Sequence, residues 1–354
     1  MLLEEGTILR SIYEVERFLG EGAFAEVYRV KHQFLGRQAM KVFKLRGLSP
    51  EELENMLMEA RLLSQLNHPN IIRVYDAGVL DAGGGSMAYF TMEYAGGGTL
   101  ESYWRGKGMH LLAVADAVDI VSQVCRGLAL AHAENPPIVH RDIKPQNILI
   151  GYDSGGRRVK VSDFGLAKRV NALTLLASAH GTMAFKPPEA LSNMDSCAAD
   201  VWAMGVLLYL LLTDQLPFHP VEAADFAKGE CWQEPVQPAR YYNPMVDENL
   251  EKVLQSALAL DYRKRYPSAN EFLSDLMKCR TAREADHAAR STDFDVSWDE
   301  GRVASALEEA KTLSKLPGRL QDAASLLEKV LNFKPELKDD YEYYLNLWRK
   351  GVSL

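Results

Sequence analysis

Apolar positions first alternate along the chain and later recur at helical spacing. Over residues 11–46, Ile12, Val15, Phe18, Val27, Tyr28, Val30, Ala39, Met40, Val42 and Phe43 sit among turn residues near Gly20–Gly22 and Leu35-Gly36-Arg37. That pattern predicts consecutive strands. A helix is expected next: Ser49 suits its N-cap, Pro50 its first position, and Glu52 completes a capping box. Its apolar stripe is Met56, Leu63 and Leu66, and His68-Pro69 ends it. Residues 71–75 and 87–93 are further strand-like runs. Glycines 83–85 read as a hairpin tip and glycines 96–98 as a flexible connection. From about residue 99 the period becomes helical, with helices expected over 111–134, 200–213, 246–260 and 269–278. Residues 281–300 are polar, acidic and weakly periodic, which suggests a linker. Helical spacing resumes at Val303.

Composition narrows the class. A chain of 354 residues with 47% hydrophobic and 25% charged residues can build a substantial core. The net charge of −8 argues against a nucleic-acid partner, because phosphate binding needs clustered cations. Cys125, Cys197, Cys231 and Cys279 form no C-x-x-C pair, so neither a disulfide framework nor a structural zinc site is indicated. The N-terminal MLLEEGTILR does not read as a signal peptide. The longest apolar run, residues 201–212, is too short to span a bilayer. The expectation is a cytoplasmic protein in a reducing compartment, with no membrane contact.

Three motifs carry chemistry. Residues 20–27, G-E-G-A-F-A-E-V, form a loop between two strands. Small residues there let backbone N–H groups approach phosphates; a plain glycine hairpin is the competing reading. Lys41 lies on the following strand among apolar neighbours. Glu59 sits on the apolar stripe of the next helix and could pair with it, since a carboxylate on a buried face needs a partner. The third and most specific motif is His140-Arg141-Asp142-Ile143-Lys144-Pro145-Gln146-Asn147, followed by Asp163-Phe164-Gly165. It supplies an acid able to take a hydroxyl proton, plus two oxygen ligands for Mg²⁺.

Together these motifs resemble those of the eukaryotic-like Ser/Thr protein kinases, with a bacterial flavour, over about residues 10–280. The resemblance implies an α+β fold of two lobes: a five-stranded antiparallel sheet with one helix (1–94) over a mostly helical lobe (95–280). MgATP would lie in the cleft and a protein Ser or Thr would be the acceptor. It further implies an ATP site of Gly20, Gly22, Ala25, Val27, Ala39 and Lys41, with Met92 guarding the adenine pocket and the backbone at Glu93 and Ala95 receiving adenine. Lys41 would pair with Glu59, Asp142 would be the base, and Lys144 would contact the γ-phosphate. Asn147 and Asp163 would hold Mg²⁺. Arg141 would pair with a phosphate on the activation segment, for which Thr174 and Ser178 are favoured over Thr182. Arg265 occupies the place of a partner for Glu189, and both Arg265 and Trp202 should stabilise the lobe. One departure is P-P-E at 187–189, preceded by Phe185-Lys186, where A-P-E is usual.

Residues 301–354 form a separate helical tail. Ala323, Leu327, Val330 and Pro335 match the second-helix spacing of a tetratricopeptide repeat, with a frame from Ala304 through Leu307 and Ala310. A next frame from Lys338 would hold Tyr341, Tyr344, Leu345 and Trp348. A generic helical hairpin on the kinase is the plainer alternative. Either way Leu326, Leu327, Leu331 and Trp348 must be buried, against the kinase body, a second copy or a partner, so the tail is expected to dock or self-associate. The rival overall reading is a pseudokinase or adaptor scaffold acting through this tail. The presence of Lys41, Glu59, Asp142, Asn147 and Asp163 argues against it.

Overall fold

The computed structural model describes all residues except 1, 23–24, 45–56, 58–59, 62, 83–84, 107–111, 154, 165–182, 193–195, 219–228, 230–231, 293–299, 317, 350 and 353–354. Among the described residues the first lobe is an antiparallel sheet of six strands in the order β1-β2-β3-β4-β6-β5. These are β1 (Ile8–Leu9), β2 (Tyr13–Glu21), β3 (Ala25–His32), β4 (Gly36–Phe43), β5 (Val74–Ala82) and β6 (Gly85–Glu93). The expected count was five; the two-residue β1 adds an edge beside β2. The strand expected at 71–75 begins at Val74 and runs on to Ala82, because its partner in β6 supplies a ladder as far as Gly85.

Alternation sorts the strand residues onto two buried faces. Ala39 and Phe43 of β4 join Ala88, Phe90 and Met92 of β6 on the face that also takes in Leu63. Met40, Val42, Met87 and Tyr89 point the other way, where Leu3 and Leu9 from the N-terminal segment cover them. Since side chains alternate with period two, neither strand can slip by one residue without reversing both faces. Residues 49–56 lie outside the description, so the expected helix start is not placed. Residues 57–65 are helical where described, and Leu63 and Leu66 are buried.

The second lobe contains α1 (Leu100–Gly106), α2 (Val114–His132), the hairpin β7 (Ile148–Asp153) with β8 (Gly156–Val161), α3 (Cys197–Thr213), α4 (Ala239–Tyr242), α5 (Glu248–Ala257) and α6 (Ala269–Thr292). Helix α3 is apolar around its whole circumference and is accordingly buried nearly throughout. Helix α2 approaches the segment before β5 so closely that a Cβ on Gly127 would meet the Asn70 carbonyl at 2.8 Å. Helix α6 continues to Thr292, so the first part of the expected 281–300 linker is helical. Over 281–292 the sequence is rich in Ala and Arg, both good helix formers.

Two strands of chain join the lobes, and both are stitched to the β7–β8 hairpin. In the first, the Ile72 N–H donates to the Val161 carbonyl (2.9 Å) and the Val161 N–H to the Asn70 carbonyl (2.9 Å). In the second, the Gly97 N–H donates to the Ile150 carbonyl and the Ile150 N–H to that of Gly98, each at 2.8 Å. The Glu93 N–H donates to the Arg73 carbonyl and ties the two together. Lys160 on β8 adds a bridge to the Glu93 carboxylate at 2.9 Å.

A bidentate ion pair locks the base of the second lobe. Arg265 donates to both Glu189 carboxylate oxygens at 2.6 and 2.9 Å, and its guanidinium lies 4.6 Å from the centre of the Trp202 ring. Trp202 in turn stacks on Phe218.

The tail folds as α7 (Glu300–Ser314), α8 (Leu320–Phe333) and α9 (Lys338–Arg349), with a short 3₁₀ turn Pro335–Leu337 after α8. Leu326, Leu327, Leu331 and Trp348 are buried within the chain itself. Two tail glycines in left-handed conformation, Gly318 and Gly351, lie against the loop Asn243–Met245 of the second lobe. No described helix is long and apolar enough to cross a membrane. Truncating the buried Leu327 to Ala should cost about 2–5 kcal/mol by lost transfer energy and cavity formation. The measurement is a urea melt, with a lower midpoint and an unchanged slope expected.

Candidate active site

The centre of the site is a loop whose backbone is held by a carboxylate from another element. Asp200, in the first turn of α3, is almost wholly buried. Its Oδ2 accepts from the His140 N–H (2.7 Å) and from His132 (3.0 Å), and its Oδ1 accepts from the Arg141 N–H (2.8 Å). His132 Nδ1 accepts the Ala269 N–H, which leaves Nε2 as the donor to Asp200. Burial alone would raise the Asp200 pKa, but the hydrogen bonds from His132 and from the loop backbone outweigh it and hold the carboxyl below the usual range.

His140 organises the loop from inside. Its Nδ1 accepts the Asp142 N–H (3.2 Å), and its Nε2 meets the Ser162 carbonyl at 2.8 Å. The ring lies 4.6 Å from Phe164, centroid to centroid. Complete burial lowers its pKa, so the folded protein holds the neutral ring. Arg141 adopts φ 70° and Asp163 φ 61°, left-handed conformations uncommon for residues other than glycine. Both flank this histidine, where the surrounding hydrogen bonds over-determine the backbone.

The sequence-predicted residues gather here in two linked sets. Asp142 Oδ2 is 2.8 Å from Lys144 Nζ and accepts Asn147 Nδ2 at 2.8 Å. The same Asn147 amide donates to the Asp142 carbonyl. The Asn147 carbonyl accepts both the N–H and the hydroxyl of Ser162, the residue before Asp163. Asp163 Oδ1 then meets Lys41 Nζ at 2.5 Å. Lys41 is buried on β4, with its ammonium over the Phe43 and Phe90 rings at 5.9 and 5.6 Å. Glu59, its expected partner, lies outside the described residues, as do Thr174, Ser178 and Thr182.

Around Lys41 the strands place the remaining candidates. Gly20 pairs with Val27 across the β2–β3 turn, and the Gly22 N–H donates to the Ala25 carbonyl at 2.8 Å. Among the described residues, its chain neighbours aside, none comes within 4 Å of where a Cβ on Gly20 would stand. Ala39 pairs with Met92, and both are buried. Lys186 was not singled out as a site residue, yet its ammonium donates to the Arg141 carbonyl at 2.6 Å. His132 was also overlooked, although a histidine on the apolar stripe of a long helix signals a buried partner.

A sheet-topped helical domain with a Lys–Asp pair and an acid–Lys–Asn loop between its halves has the construction of a phosphoryl-transfer enzyme. The protein kinase domain model matches residues 13–276, and the chain belongs to the protein kinase family. It is 31% identical over 281 residues to a probable serine/threonine-protein kinase PknB of Lactococcus lactis, covering 78% of this chain and 43% of that protein. It is 33% identical to the serine/threonine-protein kinase PrkC of Bacillus subtilis, covering 77% of this chain and 41% of that one. The chain thus spans less than half the length of these relatives. The kinase domain of Mycobacterium tuberculosis PknI superposes with a TM-score of 0.57 at 27% identity, covering 78% of this chain and 99% of that domain.

The neutral His140 makes the site acid-sensitive. Its folded pKa lies below the unfolded value of about 6.5, so the unfolded chain takes up a proton first as pH falls. The stability it contributes is complete above about pH 6.5 and declines below it. Asp200, with a depressed carboxyl pKa, adds to this only below about pH 4. Thermal melts from pH 7.5 down to 5.5 should show a falling midpoint, with a shallower slope in His140→Asn.

Proposed function

We propose that the protein is a serine/threonine kinase that moves the γ-phosphoryl group of MgATP onto a Ser or Thr hydroxyl of a protein. One observation carries this reading. Lys41 and Asp163, 122 positions apart, are in contact and are tied through Ser162 to the Asp142–Lys144–Asn147 cluster.

The residues fit the nucleotide and its metal. Among the described residues no group of three or more His, Cys, Asp or Glu side chains could hold a metal alone. Mg²⁺ does not need such a cage, since it is commonly held by one or two protein oxygens together with phosphates and water. The Asn147 amide nitrogen is engaged with Asp142, which leaves its Oδ1 to act as a ligand beside the Asp163 carboxylate. When bound, the metal supplies positive charge against the phosphate oxygens. Lys41 would hold the α- and β-phosphates under the Gly20–Gly22 turn, and Lys144 the γ-phosphate. Ala39, Val27 and Met92 would enclose adenine. The Glu93 N–H is engaged by Arg73 and the Ala95 carbonyl by the Gly98 N–H, so the Glu93 carbonyl and the Ala95 N–H are the groups left for the base.

Asp142 would take the hydroxyl proton. Both of its side-chain contacts fall on Oδ2, so the acceptor hydroxyl would approach Oδ1. Catalysis would rest on orientation and charge neutralisation. Autophosphorylation at Thr174 or Ser178 would create a partner for Arg141. The tail would be tetratricopeptide-like, a reading supported by three helices in the expected frame, and a protein partner or second copy would meet the exposed Tyr343, Tyr344 and Phe333.

The test is incubation with labelled ATP and Mg²⁺, with and without a generic protein substrate. Label on Ser or Thr is expected, reduced at least about 100-fold in Asp142→Ala and Lys41→Met. Equal labelling in the native protein and Asp142→Ala would overturn the reading.

A further inference from the structure

Lys186 occupies a place where its charge reaches the catalytic loop. The segment around it is fixed on both sides. Before it, Met183–Phe185 forms a 3₁₀ turn with Phe185 buried, and the Lys186 N–H donates to the Met183 carbonyl at 3.0 Å. After it come Pro187 and Pro188, which restrict the backbone, and then Glu189, clamped by Arg265. The constrained segment leaves the half-buried Lys186 side chain little freedom in where it carries its ammonium. The ammonium donates to the Arg141 carbonyl at 2.6 Å.

This carbonyl belongs to the peptide that leads into Asp142. Arg141 is held at φ 70°, and its own N–H is fixed by Asp200 at 2.8 Å. The two peptide groups flanking this strained residue are therefore gripped by opposite charges. The Asp200 carboxylate takes the N–H on one side, and the Lys186 ammonium donates to the carbonyl on the other. Loss of the second grip would free the Arg141–Asp142 peptide to rotate and would carry the Asp142 carboxylate with it. We propose that Lys186 is a positioning residue, coupling the segment that ends the activation region to the placement of the base. This rests on the reading of Asp142 as that base.

Steady-state kinetics on the full chain with MgATP and a protein acceptor test it, using Lys186→Met, Lys186→Arg and Asp142→Ala. Lys186→Met is expected to lower kcat about 10- to 100-fold, the effect of misplacing a reacting group by up to about 1 Å. KM for MgATP and for the acceptor should stay within about twofold, because no ground-state contact is removed. Lys186→Arg keeps a charged donor and should retain at least about a third of the native kcat. A Lys186→Met kcat within about twofold of native overturns the proposal. So does a loss confined to KM for the acceptor, which would make Lys186 a substrate contact. Should Lys186→Met not fold, a Lys186→Arg kcat below about a tenth of native is equally decisive against it. Native-like turnover by Asp142→Ala would instead remove the underlying reading of the base, whatever the Lys186 variants do.

Discussion

The buried Asp200 carboxylate is the constraint on which the site depends. It lies in the first turn of α3, in surroundings that would ordinarily expel a charge. It stays ionised because two backbone N–H groups and an imidazole surround its two oxygens. Those donors come from the loop at residues 140–141 and from α2, so one side chain fixes a helix–helix contact and a loop conformation together. Its position near the N-terminus of α3, where the helix dipole favours negative charge, adds to the effect. Neutralising it would leave three buried donors facing an inadequate acceptor, and the strained Arg141 backbone would lose its anchor.

Much of this was legible in the sequence. The grouping of Asp142, Lys144 and Asn147 was legible because one short loop dictates the spacing of D-x-K-x-x-N. The strands of the first lobe were legible because alternation on β4 and β6 serves two buried faces. Less visible were partners chosen by three-dimensional proximity. Nothing local in His132 says that it meets Asp200, 68 positions later, and nothing local in Lys186 says that it meets Arg141. That residues 281–292 continue α6 was not visible, because apolar periodicity reports burial, whereas helix propensity does not depend on it. The extension of β5 to Ala82 was missed for a related reason. Its ladder partner, not its own apolar pattern, makes it a strand.

The tail shows how an unmet demand in sequence can be answered inside the chain. Leu326, Leu327, Leu331 and Trp348 require cover, and the three helices with the adjoining core provide it. The second lobe contributes the loop Asn243–Met245, itself braced by Asn243, whose side-chain amide donates to the Leu212 carbonyl at 2.8 Å. The same loop is touched after both α7 and α9, at Gly318 and Gly351. Contact at two separated points fixes orientation, which a single contact would leave adjustable.

The paired connections between the lobes have a mechanical consequence. A body suspended from another by one strand can swing and twist about it. Here two strands, at residues 70–73 and 93–98, are each fastened to the β7–β8 hairpin and to one another. Two pins define an axle. The sheet can rock about the line through them, widening or narrowing the mouth of the cleft, while torsion across that line would have to tear backbone hydrogen bonds. The strands that carry Lys41 and the loop at 140–147 are therefore confined to approach one another along a single arc.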